Sequence, residues 1–213
     1  MVEWLITAIK VPELVQEYER IAQELEEKRL TGSGRGAVPP RISTPMSNFG
    51  IDEVMSGYRP KYLGTIARDA WANLTAGMPT GKSGWIMNTD KSGGPGIHWV
   101  AFLMDLDDRT IEYYDSFAEP LPADVAASLK LFLDKNGPHR EHLKLKENRL
   151  PDQQASTNNC GWFACRFLID RFRGKSFSKV TRFADSIKQE AIKGEAAVER
   201  FKQQHGGSFN TYL

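Results

Sequence analysis

The sequence contains few cysteines: only Cys160 and Cys165 occur among its 213 residues. Both fall in one predicted helix, five positions apart, where their side chains are poorly aimed for a disulfide. No histidine flanks them, so the pair also lacks the partners of a zinc site. A disulfide framework and a zinc-stabilised fold are therefore excluded, and no metal is expected. The two cysteines are predicted to be thiols, with at least one a candidate reactive thiol.

Long apolar runs and an excess of charge are also lacking. The longest apolar run, residues 99–104, is far too short to cross a membrane, so no membrane partner is expected. The N-terminus has neither the basic start nor the apolar stretch of a signal peptide, which predicts a reducing compartment. The formal net charge of +1 gives no global case for nucleic-acid binding, although residues 166–202 are locally basic. A solvated helical face explains this basic region, with a polyanion-binding patch as the alternative.

Residues 1–46 differ in pattern from the rest of the chain. Pro12 begins an amphipathic helical pattern that ends near Leu30, and the glycine-rich stretch 31–36 that follows is typical of a linker. We therefore expect residues 1–46 to form an amphipathic arm and residues 47–213 to form the main domain. A helix docked permanently on that domain is an equally good interpretation of the same pattern.

The main domain combines strand and helix patterns and is predicted to be one α+β unit. Two apolar runs, residues 98–106 and 110–117, are separated by turn residues and predict a β-hairpin. A helix is expected to begin at Pro122, with a mostly buried stripe that includes Leu131. Another helix is expected from Cys160 to Phe172.

Three residues at the ends of these elements have the chemistry of nucleophilic catalysis. Cys160 would lie in the first turn of its helix, where backbone N–H groups and the helix dipole stabilise a thiolate. His98 begins one strand of the hairpin and Asp115 ends the next, so the imidazole and the carboxylate would meet. This pattern predicts Cys160 as nucleophile, His98 as base and Asp115 as the group that fixes the imidazole tautomer. A structural histidine and a turn-forming aspartate remain the alternatives.

The combined pattern resembles the adenovirus-type cysteine proteases, which are relatives of the SUMO-specific proteases. The matching segments are Tyr62–Thr65, Ile86–Thr89, Gly96–Phe102 and Cys160–Phe163 together with Cys165. The resemblance implies a cysteine-protease fold, with a central mixed or antiparallel sheet flanked by helices and the nucleophile at a helix N-terminus. It also implies the triad of His98, Asp115 and Cys160. The adenoviral enzymes mostly carry Glu at the acid position, so Asp115 follows the SUMO-protease side.

By the same resemblance, a glutamine ahead of Cys160 supplies an oxyanion donor. Gln153 fits the adenoviral spacing and Gln154 fits the SUMO-protease spacing, and Gln153 is preferred. Trp99 is similar to the residue that walls a narrow glycine-accepting channel in the family, and Gly161 is assigned with it to substrate binding. The expected substrates are therefore proteins that are cleaved next to glycine.

The resemblance predicts a cysteine endopeptidase, viral or virus-derived, that cleaves capsid or core precursor proteins. A deconjugating protease for SUMO or ubiquitin-like modifiers is the alternative, and a non-enzymatic protein on an inactivated protease fold is the third hypothesis. The expected location is the host-cell cytoplasm or nucleus, with packaging in the virion also considered.

No cofactor is expected, although the adenoviral relatives suggest a peptide or DNA as an activator. The cysteine that tethers the activating peptide in those relatives corresponds to His142 here, so that disulfide cannot form. The segment Leu30–Gly34 is similar to the family's Leu-X-Gly-X-Gly cleavage pattern. The arm is thus a candidate prosegment or built-in cofactor, self-cleaved between Ser33 and Gly34. Nucleic acid at residues 166–202 is the corresponding partner hypothesis.

Overall fold

A computed structural model describes residues 45–74, 81–136, 142–184 and 187–205 of the chain. Apart from Pro45 and Met46, the predicted arm lies outside the described residues, as does the hypothetical cleavage point between Ser33 and Gly34. No helix in the described part of the chain is long and apolar enough to cross a membrane.

The centre of the domain is a mixed sheet of five strands in the order β1-β2-β3-β4-β5. The strands are β1 Tyr62–Ala67, β2 Lys82–Asn88, β3 Trp99–Asp105, β4 Thr110–Tyr114 and β5 Lys144–Glu147. The three middle strands are antiparallel, whereas each edge strand is parallel to its neighbour. The predicted mixed sheet is therefore confirmed.

Helices cover both faces of this sheet. Those in the described ranges are α1 Asn48–Met55, α2 Ala123–Lys135, α3 Cys160–Phe172, α4 Phe177–Val180 and α5 Ile187–His205. Strands and helices share one domain, as expected for an α+β fold. The helix predicted to start at Cys160 begins and ends at the predicted residues.

The predicted hairpin is formed by β3 and β4. Asp105 pairs with Thr110 next to the turn, and Ala101 pairs with Tyr114 toward the open end. The strands are shorter than the two apolar runs, because His98 precedes β3 and Asp115 follows β4. The open end of the hairpin therefore carries both of these polar side chains.

The side chains of β3 alternate between two hydrophobic cores, one on each face of the sheet. Ala101 and Leu103 belong to the core formed with α3, whereas Val100, Phe102 and Met104 belong to the core formed with α2. All five side chains have no measurable exposure. Because β3 is covered on both faces, its position and that of the adjoining His98 are strongly fixed.

Helix α2 departs from the sequence prediction at one residue. Leu129, Phe132 and Leu133 are buried against the sheet as expected, but Leu131 is 61% exposed. The prediction for Leu131 was wrong because one helix face cannot bury three successive apolar residues.

Helix α3 is the most deeply buried helix of the described chain. Ten of its thirteen residues are buried, including the predicted core residues Phe163, Phe167 and Leu168. The sheet, α1 and α5 all pack on it. Contacts on all sides hold this helix, and therefore Cys160 at its first position, in place.

Candidate active site

The open end of the β3–β4 hairpin brings an imidazole and a carboxylate together. The Nε2 atom of His98 lies 3.0 Å from Oδ1 of Asp115. The phenyl ring of Phe117 stacks on the imidazole, with the ring centroids 5.0 Å apart. The short distance agrees with the proximity expected from the hairpin, while Phe117 adds a contact that the sequence analysis missed.

Asp115 is held by a second set of hydrogen bonds. Its carboxylate accepts a hydrogen bond from the backbone N–H of Phe117 at 2.7 Å. Its own backbone N–H donates to the side chain of Asn148 at 3.0 Å, and the Asn148 amide donates back to the Asp115 carbonyl at 2.6 Å. Asn148 thus fixes the backbone that carries the carboxylate. No sequence pattern pointed to this residue, because it lies 33 positions further along the chain.

Cys160 is half-buried at the first position of α3. The preceding residue, Asn159, does not cap this helix, because its side chain bonds to Glu195 at 2.6 Å and to Lys202 at 2.6 Å. The N–H groups in the first turn of a helix have no partners within the helix and stabilise nearby negative charge. The start of α3 therefore places Cys160 beside N–H groups that can bind a negatively charged atom.

The second cysteine has the opposite environment. Cys165 is fully buried, and burial raises the pKa of its thiol well above the usual range. A protonated thiol without access to substrate is a poor nucleophile. Of the two cysteines, Cys160 is therefore the one suited to react.

His98 lies between the carboxylate and the thiol. Burial of the ring opposes protonation, but hydrogen bonds with Asp115 and Cys160 outweigh this effect and raise the pKa of His98 to about 10. Because Asp115 engages Nε2, the nitrogen left for Cys160 is Nδ1. At neutral pH the imidazole is thus protonated, which favours a thiolate–imidazolium pair.

Gln153 is fixed between the end of β4 and the loop that leads into α3. The side chain is fully buried. Its Oε1 atom accepts a hydrogen bond from the Ser116 hydroxyl at 2.7 Å, and its Nε2 atom donates to the carbonyl of Thr157 at 2.7 Å. Ser116 follows Asp115 in the chain and Thr157 precedes Cys160 by three positions, so Gln153 links the segments that carry the acid and the cysteine.

Gln154 is held differently. Its side chain is half-exposed, and its backbone N–H donates to Glu195 at 3.0 Å. Gln153 has the more rigidly held amide, but it is completely buried, and neither glutamine lines the cleft beside Cys160. Both glutamines therefore stay candidates for the oxyanion donor.

A cleft of about 490 Å³ opens beside Cys160. Its lining includes Met46, Thr65, Asp90, Ile97 and Trp99. The indole N–H of Trp99 donates to the carbonyl of Met46 at 2.9 Å, which fixes the ring in the wall of the cleft. In the described part of the chain, no group of three or more His, Cys, Asp or Glu side chains is arranged to hold a metal ion.

Gly161 packs behind this wall. A Cβ atom at position 161 would lie 2.9 Å from Cβ of Met46 and 3.3 Å from Cδ1 of Trp99. Gly161 is buried, so the absence of a side chain lets Met46 and Trp99 approach the start of α3. Gly161 thus allows the close packing of the cleft wall against α3.

The loop that precedes His98 is tied to the end of β2. The side-chain oxygen of Asn88 accepts hydrogen bonds from the N–H groups of Asp90 at 2.9 Å and Ile97 at 3.1 Å. The N–H of Thr89 donates to the carbonyl of His98 at 2.8 Å. These bonds fix the backbone that presents the imidazole.

Two arginines of the basic region 166–202 are not at the surface. Arg166 and Arg171 are only 5% and 3% exposed. Arg171 forms an ion pair with Glu112 at 2.7 Å, and Arg166 donates to the carbonyl of Val180 at 2.7 Å. The interpretation of this region as a solvated or polyanion-binding face is therefore wrong for these two residues.

Comparisons with known proteins place this geometry in context. Residues 85–204 match the family described as the Ulp1 protease family, C-terminal catalytic domain. R355 of Acanthamoeba polyphaga mimivirus, which is named as a candidate thiol protease, is 24% identical over 177 residues. The aligned part is 74% of this chain and 57% of that protein, so the chain spans little more than half the length of this relative.

Solved structures share the fold at low sequence identity. ChlaDub1 from Chlamydia trachomatis matches with a TM-score of 0.54 and 13% identity, covering 85% of this chain and 97% of that chain. The C-terminal Ulp1 protease domain, solved in complex with Smt3, the yeast ortholog of SUMO, matches with a TM-score of 0.44 and 14% identity. That match covers 85% of this chain and 95% of the Ulp1 chain. The likeness to ChlaDub1 confirms the predicted fold class.

Proposed function

The chain belongs to the Ulp1 protease family, and from this membership we propose that it is a cysteine endopeptidase that cleaves proteins next to glycine. One observation carries the proposal. The His98 ring lies between the buried Asp115 carboxylate and the Cys160 thiol, which begins the central helix α3. A nucleophile, a base and an orienting acid are the groups that acyl transfer requires.

In the first step, the Cys160 thiolate attacks the carbonyl carbon of the scissile peptide bond, and a carbon–sulfur bond forms. The carbonyl oxygen takes up the electron pair and becomes an oxyanion. The Nε2–H of Gln153 and the first N–H groups of α3 are proposed to stabilise this charge. Gln153 suits the role because its amide is already fixed by Ser116 and Thr157.

His98 then acts as a general acid. The imidazolium gives its Nδ1 proton to the leaving amine as the carbon–nitrogen bond breaks, which leaves a thioester on Cys160. The neutral imidazole next removes a proton from water, whose oxygen attacks the thioester carbon. The carboxylate product leaves, and the thiolate–imidazolium pair is restored. Asp115 keeps the ring oriented through Nε2 in both half-reactions.

The wall of the cleft supports a preference for glycine. Trp99 and Met46 are joined by a hydrogen bond and pack against Gly161, directly after the nucleophile. A bulky ring fixed in the cleft that Cys160 also lines restricts the width of the substrate channel. Residues without a side chain are therefore the expected occupants on either side of the cleaved bond.

The proposal is tested with one peptide reporter and one labelling reaction. Wild type should hydrolyse a peptide that contains a Gly-X-Gly sequence, and Cys160→Ala should not. A thiol-reactive probe should label Cys160, and His98→Ala should greatly slow that labelling at neutral pH. Equal hydrolysis by wild type and Cys160→Ala would refute the proposal.

Removal of SUMO or another ubiquitin-like modifier is a second candidate function, which the family match favours. Both functions need the same triad and a glycine at the cleaved bond. Reporters in which a folded modifier is fused to a leaving group separate the two. A modifier reporter cleaved far faster than its C-terminal peptide alone would establish deconjugation, and equal rates would favour the endopeptidase.

The finer assignment to the adenovirus type, with a viral origin and capsid or core precursors as substrates, rests on the sequence motifs. In that proposal the arm, residues 1–46, is a prosegment or built-in cofactor, and the enzyme acts in the host-cell cytoplasm or nucleus or within the virion. Intact-mass analysis of wild type beside Cys160→Ala tests the arm. Identical full-length masses after long incubation would contradict self-cleavage between Ser33 and Gly34.

Nucleic acid remains a proposed activator at residues 166–202. The buried Arg166 and Arg171 cannot contribute, so binding would depend on exposed basic residues such as Arg173 and Lys179. Activity that rises with added DNA at low salt and falls as salt increases is the expected result. Activity unchanged by DNA across low salt would contradict it.

A further inference from the structure

The loop between β5 and α3 is held by a carboxylate from the C-terminal helix. One oxygen of Glu195, Oε1, accepts hydrogen bonds from the backbone N–H of Gln154 at 3.0 Å and from the Thr157 hydroxyl at 2.5 Å. The other oxygen, Oε2, accepts a bond from the Asn159 amide at 2.6 Å. A single side chain of α5 thus connects three positions of the segment 154–159.

Two of these contacts lead directly to the reacting groups. The Thr157 carbonyl accepts the bond from Gln153 Nε2 at 2.7 Å, so fixing Thr157 also fixes the amide proposed as oxyanion donor. Asn159 is the residue before Cys160, and its side-chain oxygen accepts a bond from Lys202 at 2.6 Å. The Asn159 side chain therefore links the start of α3 to α5 and does not cap α3.

The backbone of α5 comes unusually close to the same loop. A Cβ atom at position 194 would lie 2.0 Å from the carbonyl oxygen of Asp152, so only glycine fits there. Gly194 directly precedes Glu195, and Asp152 directly precedes Gln153. The close approach brings the Glu195 carboxylate within hydrogen-bonding distance of the loop.

We propose that Glu195 is a positioning residue for the reaction, which holds Gln153 and Cys160 in register for formation of the oxyanion. This inference rests on the proposed function. Glu195 is not assigned any contact with substrate, and it acts through Thr157 and Asn159. Misplacing reacting groups by about 1 Å can lower activity by about 100-fold.

The test compares Glu195→Ala, Glu195→Gln and a matched control. Glu199 lies one turn further along α5, has the same charge, and contacts the Lys202 ammonium at 2.7 Å rather than the loop. Glu195→Ala should lower kcat about 10- to 100-fold with little change in KM. Glu195→Gln should lose less, because its amide oxygen can still accept the bonds from Gln154 and Thr157. Glu199→Ala should stay within about twofold of wild type, since exposed ion pairs contribute little.

Two further measurements separate a positioning role from a structural one. Alkylation of Cys160 by iodoacetamide forms no oxyanion, so Glu195→Ala should slow it far less than it slows turnover. Hydrogen–deuterium exchange should increase in the segment 152–159 and stay unchanged in the middle of α3. Faster exchange with an unchanged kcat would overturn the positioning role, and an unchanged exchange rate would overturn the attachment itself.

The outcome for wild type distinguishes the two proposals. Hydrolysis by wild type together with unaffected hydrolysis by Glu195→Ala defeats only the inference about Glu195. Absence of hydrolysis by wild type on peptide and modifier reporters defeats the proposed function. In that case the exchange measurement still decides whether Glu195 holds the loop.

Discussion

The β3–β4 hairpin has a buried ion pair at each of its two ends, and the two pairs differ in the cation. At the turn end, the Arg171 guanidinium donates to Glu112 at 2.7 and 2.8 Å, and Lys82 lies 2.9 Å from Asp105. Both carboxylates are completely buried. Arginine and lysine stay charged at all ordinary pH values, so neither cation at this end can act as a base near neutral pH.

At the open end, the cation is an imidazole. His98 can lose its proton, lies next to a cleft and has a thiol as its second partner. The carboxylate is similarly buried at both ends, so burial alone does not make a site reactive. The comparison shows that a titratable cation and an accessible nucleophile turn an ordinary buried ion pair into a candidate catalytic one.

The largest effect should come from removing the thiol at the open end. Cys160→Ala is expected to lower kcat/KM by at least about 10⁴-fold, because the nucleophile is lost. Cys165→Ala is the matched control: it should keep most activity and lower the free energy of unfolding by about 1 kcal/mol, as a small core truncation does. Peptide hydrolysis and urea unfolding measure the two effects. If Cys165→Ala were the inactive variant, the nucleophile would be misassigned.

At the turn end, a substitution is expected to lower stability much more than activity. Arg171→Met leaves Glu112 and Asp105 buried without their shared partner and should lower the free energy of unfolding by about 3–5 kcal/mol. Turnover at a temperature where the variant is folded should change only a few-fold. Exposed Arg173 provides the control, since Arg173→Met should change stability by less than about 0.5 kcal/mol. Comparable instability of both variants would contradict the role given to the buried pair.

A smaller effect is expected from crowding the cleft wall. Gly161→Ala places a methyl group 2.9 Å from Cβ of Met46 and should cost about 1–3 kcal/mol of stability. Because Trp99 must move as well, KM for glycine-containing peptides should rise. Gly57→Ala has no atom within 4 Å of the added group and should leave both quantities nearly unchanged. An unaltered KM in Gly161→Ala would argue against Trp99 as a wall of the substrate channel.

The last prediction is a pH dependence of stability set by His98 at the open end. The pKa of His98 is raised in the folded protein to about 10 from an ordinary value near 6.5. The stabilisation it provides is therefore complete below about pH 6.5 and is lost as pH rises through about 10. The difference in unfolding free energy between wild type and His98→Gln should shrink over this range. The corresponding difference for Arg171→Met should show no loss near pH 10, because arginine keeps its charge there, and parallel curves for both variants would contradict the assignment.

Local patterns were enough to predict the parts of the fold that carry the candidate triad. The hairpin and α3 follow from strand and helix periodicity within short windows, which is why His98, Asp115 and Cys160 could be placed from sequence. The preference for Gln153 over Gln154 rested on spacing alone and stays a prediction. The contacts of Gln153 with Ser116 and Thr157 are tertiary features that no spacing rule encodes.

Long-range partners account for what the sequence analysis missed. Asn148 and Glu195 bond to residues more than thirty positions away, and each looks like an ordinary surface residue in its own segment. Arg171 was taken for part of a solvated face because its partner Glu112 lies 59 positions earlier. The burial of a charged residue can be predicted only when its ion-pair partner is known, and that partner is set by the tertiary structure.

The hydrogen bond from the Trp99 indole to the Met46 carbonyl has a practical consequence for shortened versions of the protein. A chain cut at the boundary suggested by composition, between residues 46 and 47, would lose the acceptor that anchors the tryptophan. It would also lose the Met46 side chain that packs against Gly161. A minimal fragment for activity measurements should therefore begin no later than Pro45, although this residue precedes α1.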